Sequence, residues 1–321
     1  MIRRVVGLIS WYGGLALLTG CSPRSFVRGI SSDAGYCAPP VPYRPDSTYR
    51  PLTDSVALTD AQLRGRYSAH SLLVANAVGV LPALRELARL RAGAEATPAT
   101  NRRMLALREQ IDDRLVLVTT EIASVAAELD CGGERANQAA TYELGQDNKH
   151  IRLMTMLSIT VGAVTTIATT LMQQGSFSST PEAVVAIGGG TLSAGLGAST
   201  LFTSGRIRFR HARNLLADIW YERATSTVYP PTIWYVLTHR EFSNSKQFSV
   251  AHNIRDRWGH FDGLKHDRTA ENRRTQALFF GTGGDYTASE LQVRAAMLDQ
   301  VQSSVRLINQ DVQVLMSELS R

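Results

Sequence analysis

LMTMLSITVGAVTTIATTLM (Leu153–Met172), QQGSFSSTPE (Gln173–Glu182) and AVVAIGGGTLSAGLGASTLF (Ala183–Phe202) follow one another without a break, and Glu182 is the only formal charge between Arg152 and Arg206. That charge stands next to Pro181, where the chain is expected to turn back on itself, so the stretch reads as a helical hairpin with a polar tip. Its two arms, 153–173 and 183–203, each have about the 20 residues that cross a hydrocarbon layer. Thr, Ser and Gly dilute both arms, which makes them weaker membrane segments than a Leu-rich span. The arms carry small residues at four-residue spacing: Ala186, Gly190, Ala194 and Ala198 on one line, Gly189, Ser193 and Gly197 on the next, and Gly162, Thr166 and Thr170 on the facing arm. Such lines let helix backbones approach closely in lipid. They resemble a glycine-zipper pattern, and in water the same lines would pack a tight buried hairpin.

Outward from the hairpin, Lys149, His150, Arg152, Arg206, Arg208, Arg210, His211 and Arg213 gather at its open end. Of these, Lys149, Arg152, Arg206, Arg208 and Arg210 are the candidate collar for anionic head groups, each worth about 1 kcal/mol near such a surface. Ahead of the hairpin, apolar residues repeat at steps of three and four. One seam runs through Leu63, Tyr67, His70, Val74, Ala77, Leu81, Leu84 and Ala88, with a kink or break expected near Gly79–Pro82. A second seam, opened by Thr97-Pro98, runs through Ile111, Leu115, Val118, Ile122, Val125 and Leu129 and is expected to end at Cys131-Gly132-Gly133. A third helix is expected to start at Glu134 and enter the first arm, while the second arm is expected to continue as helix past Phe202 through RIRFRHARNLLADIWYERA. Residues 225–286 mix aromatics, Pro and Gly with short helical patches. The last helix has a capping box, Thr287 with Glu290, and a regular seam from Leu291 to Leu319.

The chain begins with Arg3 and Arg4, an apolar run from Val5 to Leu18, and Leu18-Thr19-Gly20-Cys21. This resembles the signal peptide and lipobox of bacterial lipoproteins. The resemblance implies cleavage before Cys21, a covalent lipid such as palmitate on its thiol, and a mature chain anchored in the cell envelope. Ser22 after the cysteine implies the outer membrane, facing the periplasm. An exported compartment permits a disulfide between the other two of the three cysteines, Cys37 and Cys131, though two free thiols fit their spacing equally. A lipid on Cys21 also conflicts with co-translational insertion of the hairpin, because its basic flanks would face the cytoplasm while Cys21 lies on the opposite side. Either the hairpin inserts after export or it stays out of lipid.

A formal charge of +6, which falls to +4 without the two signal arginines, gives no reason to expect nucleic acid. His252, His260 and His266 are the nearest approach to a metal cluster, but they lack the convergent spacing of a zinc site, so no metal is expected. Gly281-Thr282-Gly283-Gly284 has no Lys at phosphate-loop spacing, and no nucleophile motif occurs.

The sequence therefore predicts an all-α protein: an elongated bundle of long amphipathic helices with an uncharged Gly/Thr-rich helical hairpin. Its segments are a signal peptide (1–20), a Pro/Tyr-rich flexible tether (21–54), an antiparallel helical pair (55–131), the long hairpin (132–224), an irregular aromatic segment (225–286) and a coiled-coil-like C-terminal helix (287–321). The expected function is that of a non-enzymatic lipid-anchored envelope protein, a scaffold or membrane-contacting factor without a cofactor. The alternative is an oligomerising membrane-inserting protein that forms a pore or export conduit. Membrane lipid, a second copy of the chain and further proteins are the partners this reading allows.

Overall fold

The computed structural model describes residues 27–29, 35–39, 51–52, 61–93, 97–175, 179–202, 204–211, 213–261, 264 and 269–320. The signal peptide and Cys21 lie outside the described residues, as does His266. The chain is all-α, with three short strands among the described residues. It divides into two compact units, one of Met1–Gly29 with Ala140–Arg208 and the other of Ile30–Ala139 with Phe209–Arg321.

In the second unit the first seam is cut into α1 (Ala61–Arg64), α2 (Ala69–Val78) and α3 (Leu81–Gly93). Ser68 caps α2 by accepting from the Ser71 N–H, and Gly79 ends it at φ 91°, a left-handed conformation that suits glycine. Pro82 falls in the first turn of α3, where its missing N–H costs nothing. Helix α4 then runs from Pro98 to Gln174 as one 77-residue helix, with Thr97 accepting from the Thr100 N–H at its start.

Gly132 and Gly133 do not stop α4, contrary to the sequence expectation. A Cβ at Gly133 would lie 2.9 Å from the Asp299 carboxylate and one at Gly132 would lie 3.4 Å from Leu298. Gly133 therefore admits the close approach of α10 (Ala288–Leu319), and a side chain at Gly132 would make only ordinary contact with it. Without a left-handed residue or a proline to follow, the intrahelical hydrogen bonds continue through them.

Helix α10 carries the capping box, with the Thr287 hydroxyl accepting from the Glu290 N–H and the Glu290 carboxylate accepting from the Thr287 N–H. Leu291, Val301, Val305 and Leu315 on its seam are fully buried, as are Val118, Ile122 and Leu129 on α4. Helix α2 packs against α10 and against α7 (Pro231–Thr238). The short helices α6 (Ala217–Trp220), α8 (Val250–Phe261) and α9 (Ala270–Phe280) complete the unit. Aromatics fill the space among them: Trp220 stacks on Phe280 at 4.5 Å, Tyr229 stacks on Trp234 at 5.5 Å, and Trp258 donates to Gln300. They are part of the core.

The stretch after Phe202 is a second correction. Helix α5 (Ser179–Ser199) closes through a 3-10 turn at Thr200–Phe202, and Arg206–Arg210 is strand β2. RIRFR alternates with period two, which buries Ile207 and Phe209 and turns Arg208 and Arg210 outward. Strand β1 (Val27–Gly29) pairs in parallel with Arg206–Arg208. The Phe209–Arg210 end of β2 lies beside β3 (Gly283–Tyr286), where Gly283, at φ 91°, leaves no room for a Cβ against the Phe209 carbonyl.

The tether is fastened to the second unit at two described places. Asn76 on α2 accepts from the Leu52 N–H at 2.9 Å and donates to the Leu52 carbonyl at 2.8 Å, and Cys37 is disulfide-bonded to Cys131 on α4.

Candidate functional site

The hairpin of the first unit is formed by the C-terminal part of α4 and by α5. On α4 the half-buried positions are Ile151, Met154, Ser158, Val161, Gly162, Thr165, Ala168, Thr169 and Met172; on α5 they include Val185, Gly189, Ser193, Leu196 and Gly197. These are single helical stripes facing one another. At their centre two serines are joined reciprocally: the Ser158 hydroxyl donates to the Ser193 carbonyl at 2.7 Å, and the Ser193 hydroxyl donates to the Ser158 carbonyl at 2.8 Å.

Glycines make this approach possible. A Cβ at Gly162 would meet Ser193 at 3.2 Å, one at Gly197 would meet Ser158 at 3.4 Å, and one at Gly189 would fall 1.9 Å from the Thr165 hydroxyl. Gly190 has nothing within 4 Å, and Ala186, Ala194 and Ala198 are exposed with it. Of the two stripes on the second arm, the 189/193/197 line closes the hairpin, and the line through Gly190 and Ala194 faces away. On the first arm the packing line is Ser158, Gly162 and Thr165, whereas Thr166 and Thr170 point outward. Sequence reasoning missed Ser158 and Thr165; the signal was present, since both share a helical face with Gly162.

Most of the other threonine hydroxyls on the described arms are satisfied locally. Thr160, Thr165, Thr166, Thr170 and Thr191 each donate to the carbonyl four residues back, at 2.6–2.9 Å. At the tip, Gln173 donates to the Glu182 carboxylate at 2.6 Å. The Thr and Ser content therefore presents little unmet hydrogen-bonding demand, which is the condition for backbone and hydroxyls to enter hydrocarbon.

Outside the packing stripe both arms are apolar and uncovered. Leu153, Met156, Ile159, Val164, Ile167 and Leu171 are exposed on the first arm, as are Val184, Ile187, Leu192, Leu201 and Phe202 on the second. Both helices are long and apolar enough to cross a membrane, and none of the apolar window of either is buried.

At the open end Lys149, Arg152 and Arg208 are exposed and Arg206 is half-buried, but acids are interleaved with them. Glu143 is buried, and Asp147 accepts from the Gly205 N–H at 3.1 Å. Any Cβ at Gly205 would collide with Glu143, so this glycine lets the returning chain lie against α4. Arg210 belongs to the second unit, where its carbonyl accepts from Arg135. His211 and Arg213 leave the collar altogether and enter the second unit's interior.

There they join a buried polar cluster. Arg294 is fully buried and donates to the Phe279 carbonyl at 2.7 Å. Tyr286 donates to the Leu278 carbonyl at 2.5 Å, and its oxygen lies 3.4 Å from His211 Nε2. Burial first, and then the cations Arg294 and Arg135, push the His211 pKa down to about 2. Burial also pushes Tyr286 up to about 12. Glu128, 3.4 Å from Arg213, is raised by desolvation against the pull of that arginine. A cavity of about 40 Å³ bounded by Cys37, Glu128, Arg135, His211 and Arg294 has room for a water or two.

His252 and His260, the two described members of the candidate metal cluster, take separate partners. His252 on α8 is 2.6 Å from Glu222 and stacks on Phe248, while His260 two turns on is 3.6 Å from Asp256. Among the described residues no group of three metal-ligating side chains occurs. No protein-family model matches this chain, no curated protein matches it, and no solved structure matches it.

Proposed function

We propose that this chain is a non-enzymatic, lipid-anchored envelope protein that contacts or enters a membrane through the 153–202 hairpin. The observation that carries the reading is the uncovered apolar outer face of both arms, combined with an inner face whose hydroxyls and glycines are used within the hairpin. In water that outer face is costly, at about 25 cal/mol per Å² of apolar surface; a bilayer removes the cost. The lipobox-like Leu18–Cys21 supports the anchor, and the Cys37–Cys131 disulfide accords with an oxidising compartment. With lipid on Cys21, the hairpin inserts after export, from the same side as the anchor, and Lys149, Arg152, Arg206 and Arg208 meet the head groups. The protein then acts as a scaffold or membrane-contacting factor of the envelope, with the outer membrane as the favoured site.

Metabolic labelling with palmitate, N-terminal mass analysis and protease protection in envelope vesicles test this together. The expected result is lipid on Cys21, lost in Cys21→Ser, and a protected hairpin fragment. Unlabelled protein that retains Met1 would refute the anchor, and complete digestion of the hairpin would refute the membrane contact.

A second reading, assembly of several hairpins into a pore or conduit, is favoured by one observation. The Ala186, Gly190, Ala194 and Ala198 stripe is left open on the outside of the hairpin, where small residues permit close packing of another helix. Gly190→Leu distinguishes the two readings: it abolishes oligomers and conductance in a conduit, and leaves membrane contact by a scaffold unchanged.

A further inference from the structure

A second recess lies within the helical unit, shares no residue with the hairpin and is independent of the function proposed for it. It is a cleft of about 480 Å³ where the turn after α1, the helices α3 and α4, and the end of α10 converge. Its floor is apolar, with Tyr67, Leu87 and Leu115 all below a tenth exposed. At its rim stand Arg66, Arg91 and Arg108, with Asp112 as the one carboxylate among the described residues that line it. None of the three arginines has an ion-pair partner among the described residues. Arg91 is held below the usual guanidinium range by partial burial first, and then by Arg66 and Arg108.

Three cations against one carboxylate gather here beside an apolar floor. Like charges repel, and an anion among them would remove the repulsion. Guanidinium groups suit carboxylates and phosphates because their planar forks donate two parallel hydrogen bonds. The volume lies within the about 300–1,000 Å³ typical of small-ligand sites, and its apolar floor has no use for a bare inorganic ion. We propose that this cleft binds a single-chain anionic amphiphile, with its acidic head among Arg66, Arg91 and Arg108 and its hydrocarbon chain along Tyr67, Leu87 and Leu115.

Binding of palmitate and of monopalmitoyl phosphatidic acid, each below its micelle concentration, is measured on the full chain by displacement of a fluorescent fatty acid. Zwitterionic monopalmitoyl phosphatidylcholine and inorganic phosphate are the comparison probes. The expected result is saturable, one-to-one binding of at least one anionic probe, weakened tenfold or more in Arg91→Gln/Arg108→Gln and only partly restored in Arg91→Lys/Arg108→Lys, which keeps the charge but loses the two-donor fork. The two anionic probes establish whether the head is a carboxylate or a phosphate. Equal affinity for the zwitterionic lipid, equal affinity for inorganic phosphate, absence of saturable binding, or indifference to the Gln pair would each overturn the proposal. Because these side chains are exposed, unchanged circular dichroism and melting temperature of the Gln pair show that lost binding is not lost folding. Gly189→Ala, which disturbs only the hairpin, is expected to leave the affinity unchanged.

Discussion

Two adjacent glycines, Gly189 and Gly190, give the sharpest perturbation of the hairpin. In either place an alanine favours the helix by about 1 kcal/mol relative to glycine, so the intrinsic gain cancels in a comparison of Gly189→Ala with Gly190→Ala. Packing does not cancel. The new Cβ at 190 meets nothing within 4 Å, whereas at 189 it lies 1.9 Å from Thr165 Oγ1, 2.6 Å from Cγ2 and 2.8 Å from Cβ. Thr165 cannot swing aside cheaply, because a β-branched side chain is stiff and its hydroxyl is bound to the Val161 carbonyl at 2.7 Å. The helices must separate, at an overpacking cost of about 1–3 kcal/mol, which is a roughly 5- to 150-fold shift toward the splayed form. Spin labels at the exposed positions Thr170 and Val184, with distances read by double electron–electron resonance in phospholipid vesicles, report that population. Wild type and Gly190→Ala should give one short distance, Gly189→Ala a broad longer one, and Gly189→Ala/Thr165→Gly a return to the short distance. Identical distributions for the two alanine variants would refute the assigned packing face.

Truncating either serine, Ser158→Ala or Ser193→Ala, should cost about 0.6–2 kcal/mol of hairpin stability in lipid, and a double-mutant cycle should show coupling between them. Reduction of the disulfide, or Cys37→Ser, should lower the stability of the helical unit by about 2–5 kcal/mol, read from denaturant midpoints; the bond joins residues 94 apart in sequence. His211 is neutral when folded, with its pKa down at about 2, so its contribution is complete above the ordinary histidine value of 6.5 and is lost as pH falls below that. The loss runs at about 1.4 kcal/mol per pH unit, and His211→Gln should shallow the decline in melting temperature between pH 6.5 and 5. His70 has the opposite sign: its hydrogen bond to Asp311, 2.9 Å away, raises its pKa, so its stabilisation is complete below 6.5 and disappears as pH rises through the raised value. The pair is partly exposed, so His70→Gln should remove less than about 1 kcal/mol, seen as a flatter pH dependence of stability above pH 6.5.

The helical character of the chain was legible wherever a local signal stood alone. Thr97-Pro98 and Thr287 with Glu290 mark helix starts that the structure places at those residues, and the Val118, Ile122 and Leu129 seam is buried. Gly132-Gly133 misled because glycine has two uses, ending a helix and admitting a neighbour, and only the position of Leu298 and Asp299 in space separates them. The RIRFR segment has no proline to interrupt a helix, but its period-two alternation is that of the strand it forms. At the candidate site the small-residue lines were visible, but spacing alone could not show which line turned inward. That choice depends on the rotation of α5 against α4, fixed by the Ser158–Ser193 exchange and by the missing Cβ at Gly189, where one would collide with Thr165.

Fluorescence of an environment-sensitive dye placed singly at Ile167→Cys and at Ile187→Cys, with quenching by lipids spin-labelled along the acyl chain, tests membrane entry most directly. Both positions are exposed on the outer faces of the arms, and Val116→Cys, exposed on the helical unit, serves as the reference. In vesicles containing anionic phospholipid the account predicts blue-shifted emission and strong acyl-chain quenching at 167 and 187 and neither at 116. Emission at 167 and 187 that stays water-like and unquenched while the protein is bound to the vesicles would contradict it.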